Sequence, residues 1–223
     1  MEKYEKLGIE YSAISPFECK VVRCVSPEAH MLIPIKVNGY YVAQIGEDAF
    51  KGVQTLKSIQ FPDSIRSILA GAFQGCSELE NIMAYETEQP CHQMTVGVRA
   101  FAECERLNSI SISCPVRLQQ YAFQGCKSIF QMNMPVMQCA DYAFAQCASL
   151  SKLVFANTAS WTATSFDGCR NICTIEFLGD IARFMRKARK RVALDVFQDV
   201  TILCGKDCKL TELIHEGFTV KIV

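Results

Sequence analysis

No stretch of the chain approaches the roughly 18 uninterrupted apolar residues that a membrane-spanning helix needs. The N-terminal segment MEKYEKLGIEYSAISPFECK has no apolar run behind its charges, so it carries no secretory signal pattern. Neither sign of charge is in surplus: Lys plus Arg number 23 and Asp plus Glu number 23. A balanced chain has no global field to draw it to nucleic acid or to anionic lipid. No Gly-rich phosphate loop and no Gly-x-Ser-x-Gly turn occurs, which leaves phosphate cradling and serine nucleophilic catalysis without a motif. General disorder is excluded as well, because half of the residues are apolar and 21% are charged.

Cysteine, by contrast, is abundant. Thirteen is an odd count, whereas disulfide frameworks favour even counts, and 223 residues can bury a core without staples. The positions of the cysteines follow from an internal repeat. An Ala-Phe or Ser-Phe pair recurs six times, at Phe50, Phe73, Phe101, Phe123, Phe144 and Phe166, at intervals of 23, 28, 22, 21 and 22 residues. Three residues after each Phe stand Val53, Cys76, Cys104, Cys126, Cys147 and Cys169. Six after stand Leu56, Leu79, Leu107, Ile129, Leu150 and Ile172; nine after stand Ile59, Ile82, Ile110, Met132, Leu153 and Ile175. Eleven after come Phe61, Ala84, Ile112, Met134, Phe155 and Phe177; five before come Ile45, Ile68, Val96, Leu118, Cys139 and Trp161.

The three downstream columns spell L-x-x-L-x-L at a period proper to leucine-rich repeats. One coil cannot bury its apolar side alone, so coils stack and each column becomes a ladder through the core. Five cysteines then fall in a column whose first member is Val53, where Cys acts as a small apolar residue. Reduced, buried thiols in that column favour a reducing compartment. The Gly of AFKGV, AFQGC and FDGC supplies a tight turn where a side chain would crowd the next coil.

The segment IGEDAFKGVQTLKSIQFPDSIRSILAGAFQGCSELENI resembles the BspA-like class of leucine-rich repeat, whose coils read roughly I-G-x-x-A-F-x-G-C-x-x-L-x-x-I-x-I-P. The lead-in LIPIKVNGYYVAQIG looks like that family's entry, and IEFLGDIARFMRKARKRVALDVFQDVTILCGKDCKL is similar to its cap of strand, Gly, helix and strand. The resemblance runs from about residue 32 to 209. It implies a fold strongly and a function weakly: many members are surface or secreted proteins implicated in adhesion and protein binding, and many have no assigned role.

The expected architecture is one continuous domain, a β-rich right-handed solenoid of about six coils. Residues 1–42 form an N-terminal β cap, 43–177 the six repeats, and 178–223 a strand-helix-strand cap and tail. Asn38-Gly39 between Ile35/Val37 and Tyr41/Val42 is a two-residue hairpin signal. Phe184–Phe197 reads as the cap helix, with Phe184, Ala188, Val192 and Val196 at four-residue steps, and Phe218–Val223 alternates like a short edge strand. Because strand side chains alternate faces, the residues flanking the middle column point outward: Ser58/Gln60, Asn81/Met83, Ser109/Ser111, Gln131/Asn133, Lys152/Val154 and Thr174/Glu176. This polar, nearly uncharged face is the expected ligand surface, suited to a protein, peptide or glycan rather than nucleic acid.

Three other features compete with it. The basic run Arg183, Arg186, Lys187, Arg189, Lys190 and Arg191 reads first as a solvated cap-helix face, with phosphate, an acidic partner or an import receptor as alternatives. The long interval adds about six residues in MAYETEQPCHQMT, bringing Glu86, Glu88, Cys91 and His92 out of the stack; neighbouring Cys and His do not make a nucleophile–base pair without a third orienting group. Cys169-x-x-x-Cys173 and Cys204-x-x-x-Cys208 have an admissible zinc spacing, but Cys169 belongs to the core column. His30 and His215 stand alone. No catalytic residue, metal or cofactor is assigned. The function expected is a non-enzymatic binding scaffold, with a purely structural repeat module as the alternative and an enzyme or zinc protein more remote. As the chain stands the expected compartment is the cytoplasm, or the cell surface or exterior if a signal has been removed.

Overall fold

The computed structural model describes residues 3–88, 93–162, 164–178, 201–204 and 219–222. Each coil crosses from one parallel sheet to another. The L-x-x-L-x-L sheet begins with β4 (His30–Leu32), β7 (Ser58–Pro62), β9 (Asn81–Tyr85) and β11 (Ser109–Ser111), paired in that order. It continues through the bridges Ser111↔Asn133 and Gln131↔Lys152 into β14 (Lys152–Ser160) and β15 (Thr174–Leu178). A second sheet uses the column five residues before each Phe: β6 (Tyr40–Ile45), β8 (Ser67–Ile68), β10 (Met94–Val96), β12 (Val116–Leu118) and β13 (Val136–Cys139). The nine-residue β14 joins the two sheets, pairing with β13 as well as β15. β16 (Thr201–Cys204) and β17 (Thr219–Ile222) extend the first sheet in parallel beyond β15. No helix lies among the described residues; the expected helix over 184–197 falls outside them.

The N-terminal residues form an antiparallel meander of β1 (Lys3–Lys6), β2 (Ile9–Ala13) and β3 (Glu18–Cys24). From there the chain is already a coil: β3 pairs in parallel with β6 and β4 with β7. One turn therefore precedes the six copies of the motif, giving about seven turns. The Asn38-Gly39 hairpin is present between β5 (Lys36–Val37) and β6, with φ of 48° and 86°. Positive φ at both central residues matches the strand twist and is the reason Asn-Gly occurs there.

The corner between the sheets carries the Ala-Phe pair and is itself a hydrogen-bonded ladder. Phe73 N–H donates to Ala100 O at 2.7 Å, Phe101 to Ala122 at 2.8 Å, and Phe123 to Ala143 at 2.7 Å. The six Phe side chains are at most 2% exposed, and their rings stack face to face with centroids 4.9 to 5.6 Å apart. The Cys column does more than fill space. Cys76 Sγ donates to Phe50 O at 2.9 Å, Cys104 to Phe73 at 3.1 Å, Cys126 to Phe101 at 3.1 Å, Cys147 to Phe123 at 3.1 Å and Cys169 to Phe144 at 3.0 Å. Each thiol thus bonds the backbone of the preceding coil, while the same carbonyl accepts the N–H three residues ahead of it, as Phe101 O does from Cys104. Ten cysteines between Cys19 and Cys173 are free thiols.

Two residues after each Phe the chain takes a left-handed φ: Gly52, Gly75, Gly125 and Gly168 lie at 69° to 76°. In the third and fifth repeats Glu103 and Gln146 hold this conformation instead, at 63° and 61°.

Candidate binding face

The outward side chains of the first sheet form two rows in register. One runs His30, Ser58, Asn81 and Ser109, then Gln131, Lys152 and Thr174. The other runs Leu32, Gln60, Met83, Ser111 and Asn133, and ends with Glu176. Seven parallel segments at about 4.8 Å spacing make this surface about 29 Å wide. Gln60, Asn81, Met83, Ser109, Gln131 and Asn133 are exposed; Ser58, Ser111, Lys152, Thr174 and Glu176 are half-buried.

Val154 departs from the outward pattern. It is only 9% exposed. Glu176 stands opposite it across β14 and β15 and reaches diagonally to Lys152, with Nζ and Oε2 2.7 Å apart. The row is therefore interrupted at Val154.

Sequence reasoning left out three members of this face. His30 was set apart in the N-terminal cap, yet its Nδ1 lies 2.7 Å from Ser58 Oγ, which places it at the head of the first row. Leu32 beside it is 46% exposed. The signal was a missing Ala-Phe: without that pair, the turn containing β4 could not be aligned to the columns. Phe130 was overlooked because it precedes the strand position; it is 59% exposed, next to Gln131, and its carbonyl is held by Ser151. Lys152 and Glu176 neutralise each other, so the two rows have almost no net charge.

The competing features separate. Cys169 is buried in the ladder while Cys173 is exposed; the side chain of Cys204, and Cys208 altogether, lie outside the described residues, as do Cys91, His92, His215 and the basic run from Arg183 to Arg191. Among the described residues no group of three potential metal ligands occurs. Glu86 and Glu88 are exposed at the edge of the coils, away from the rows.

The six-fold columns, the parallel strands and the stacked corners decide the family. The pattern of the BspA type leucine rich repeat region matches in six copies, over residues 33–116 and 94–195. The chain belongs to the BspA-type leucine-rich repeat family. No curated protein matches this member. Among solved structures it is similar to a T. pallidum leucine-rich repeat protein at 17% identity, with a TM-score of 0.56, covering 93% of this chain and 84% of that one. A leucine-rich repeat protein from Bacteroides capillosus is 21% identical with a TM-score of 0.43, covering 71% of this chain and 97% of that one. A leucine rich cell surface protein from Faecalibacterium prausnitzii is 13% identical with a TM-score of 0.42, covering 91% and 88%. At 17% identity the likeness to the T. pallidum protein speaks for the fold alone. No helix among the described residues is long and apolar enough to cross a membrane.

Proposed function

We propose that this BspA-type repeat protein is a non-enzymatic scaffold that binds a protein, peptide or glycan on its L-x-x-L-x-L sheet. The observation that carries the reading is the exposure of hydrogen-bonding side chains in two straight rows: Asn81, Ser109, Gln131 and Asn133 project from a backbone fixed on both sides by parallel pairing. Rigid, extended repeat surfaces of this kind suit binding because little ordering entropy is lost on contact. Amides and hydroxyls with no net field favour a neutral polar partner over a polyanion. The face has no convergent set of ionisable groups such as hydrolytic or group-transfer chemistry requires. BspA-type proteins are typically surface or secreted bacterial proteins; for this member, the buried free thiols support a reducing compartment.

The test is a partner recovered by affinity capture, then titrated against Asn81→Ala, Ser109→Ala, Gln131→Ala and Lys152→Ala. Central positions should each weaken binding by about 1 kcal/mol or more. Charge reversal at Arg189 and Lys190 should change little beyond a salt-dependent on-rate. Binding that is lost with the basic run and indifferent to the sheet would overturn the proposal.

A further inference from the structure

The irregular interval after β9 builds a cleft at the edge of the coils, away from the two rows. The described residues 85–88 stay against the stack. Tyr85 hydroxyl donates to Ile33 O at 2.8 Å, Asp63 N–H donates to Tyr85 O at 2.9 Å, and Thr87 hydroxyl donates to Asp63 Oδ1 at 2.5 Å. Asp63 is 5% exposed, so this anchor is a buried carboxylate. The pinned loop faces the β5–β6 hairpin across a space of about 560 Å³, a volume proper to small-molecule sites.

The chemistry of the walls is asymmetric. The hairpin offers Ile35, Lys36 and the Tyr41 ring, the loop offers Glu86 and Glu88, and Ser64 closes the floor. Among the described residues neither glutamate has an ion-pair partner, and the fully screened Ser64 hydroxyl has no hydrogen-bond partner. Among the described residues Lys36 is the one cation on these walls, and its Nζ lies over the Tyr41 ring at 4.0 Å. Two free carboxylates, backed by buried Asp63, therefore outnumber a single ammonium that is already engaged. A bare divalent ion is poorly matched, since no cluster of three ligands occurs among the described residues.

We propose that this cleft binds a small organic cation bearing an alkylammonium or guanidinium group. Its charge sits between Glu86 and Glu88, which give charge-assisted hydrogen bonds. Its hydrocarbon lies against Ile35 and Tyr41 on the hairpin wall. Lys36 is an internal competitor: the ring it covers is the surface that would otherwise take part of the ligand's cation–π attraction.

Calorimetric titration of the full chain with cadaverine and with agmatine tests this, with 1,5-pentanediol as the uncharged control. The expected result is saturable one-site binding of the cations and none of the diol. Affinity should fall about tenfold or more in Glu86→Gln/Glu88→Gln, and rise several-fold in Lys36→Gln, with the thermal midpoint of each variant unchanged. Nα-acetyl-lysine amide separates the sources: tighter binding than cadaverine assigns the cation to a polypeptide side chain, weaker binding to a free amine. Asn81→Ala and Gln131→Ala should leave all of this intact, so the cleft and the sheet face succeed or fail independently. Absence of saturation up to about 10 mM, equal binding of the diol, or unchanged affinity in the double glutamine variant would overturn the proposal.

Discussion

A buried thiol in this solenoid does two jobs with one atom, filling the column and bonding the Phe carbonyl of the coil before it. Burial pushes the thiols of Cys76, Cys104 and Cys126 upward, Cys76 to about 12. On unfolding these groups return to the ordinary thiol range near pH 8.5. Above that pH the unfolded chain therefore binds fewer protons than the folded one, and stability falls as pH rises. Urea midpoints should hold steady up to about pH 8.5 and then drop with increasing slope toward about pH 11; a flat profile would refute the account. Thiol titration in denaturant without reductant should find nearly all 13 cysteines reactive, and a deficit restored by reduction would count against free thiols and a reducing compartment together. The aromatic ladder is less forgiving. Phe123→Ala should cost about 3–5 kcal/mol in chemical denaturation, the usual range for emptying a packed core site. At the left-handed corner the sign reverses. Glu103 and Gln146 hold a φ that their neighbours assign to Gly, so Glu103→Gly should stabilise by up to about 1 kcal/mol, the strain relieved less the chain entropy of Gly. The Phe and Cys columns could be read directly from periodicity. The thiol-to-carbonyl bonds could not, because donor and acceptor are 24 to 31 residues apart, as with Cys147–Phe123 and Cys104–Phe73, and meet only when coils stack.

Elements of this fold were legible in proportion to how local their cause is. The Asn38-Gly39 hairpin follows from two residues that tolerate positive φ. The second sheet is different: its column of Ile45, Ile68, Val96 and Leu118 is plain in the sequence, yet strands as short as Ser67–Ile68 have no alternation to display. Only the next coil, pairing along their whole length, makes them strands. The turn built by β3 and β4 lacks Ala-Phe altogether and is ordered by its parallel partners. Val154 stands at an outward position of the register, opposite Glu176, and is buried nonetheless, which alternation alone does not foretell. Phe130 marks where a sheet-face partner should be most sensitive. Its side chain is 59% exposed beside Gln131, so Phe130→Ala should leave the denaturation midpoint nearly unchanged and weaken a bound partner by about 2 kcal/mol, as a truncated aromatic anchor does. Loss of stability without loss of binding would assign the ring to the fold instead.

The six repeats form a column of nearly identical units, each touching only its neighbours, and such a column's stability is close to a sum of those contacts. Departures from the repeat then stand out as the places with something to explain: the pinned loop after β9 and the long strand β14 that joins the sheets. The spacing of the stacked rings is also uneven. Centroids are 4.9, 4.9 and 5.0 Å apart from Phe50 to Phe123, then 5.5 and 5.6 Å from Phe123 to Phe166. Wider rungs give up some dispersion contact between the rings, while the strands of the later coils pair over a longer stretch, five residues between β14 and β15 against two between β8 and β10. Pulled by its two ends, such a chain should rupture like a zipper rather than as one body. A force–extension trace should show a sawtooth in which each tooth releases about 75 Å, a 22-residue coil drawn out at about 3.4 Å per residue. A single rupture with no intermediate teeth would refute the picture of independent coils.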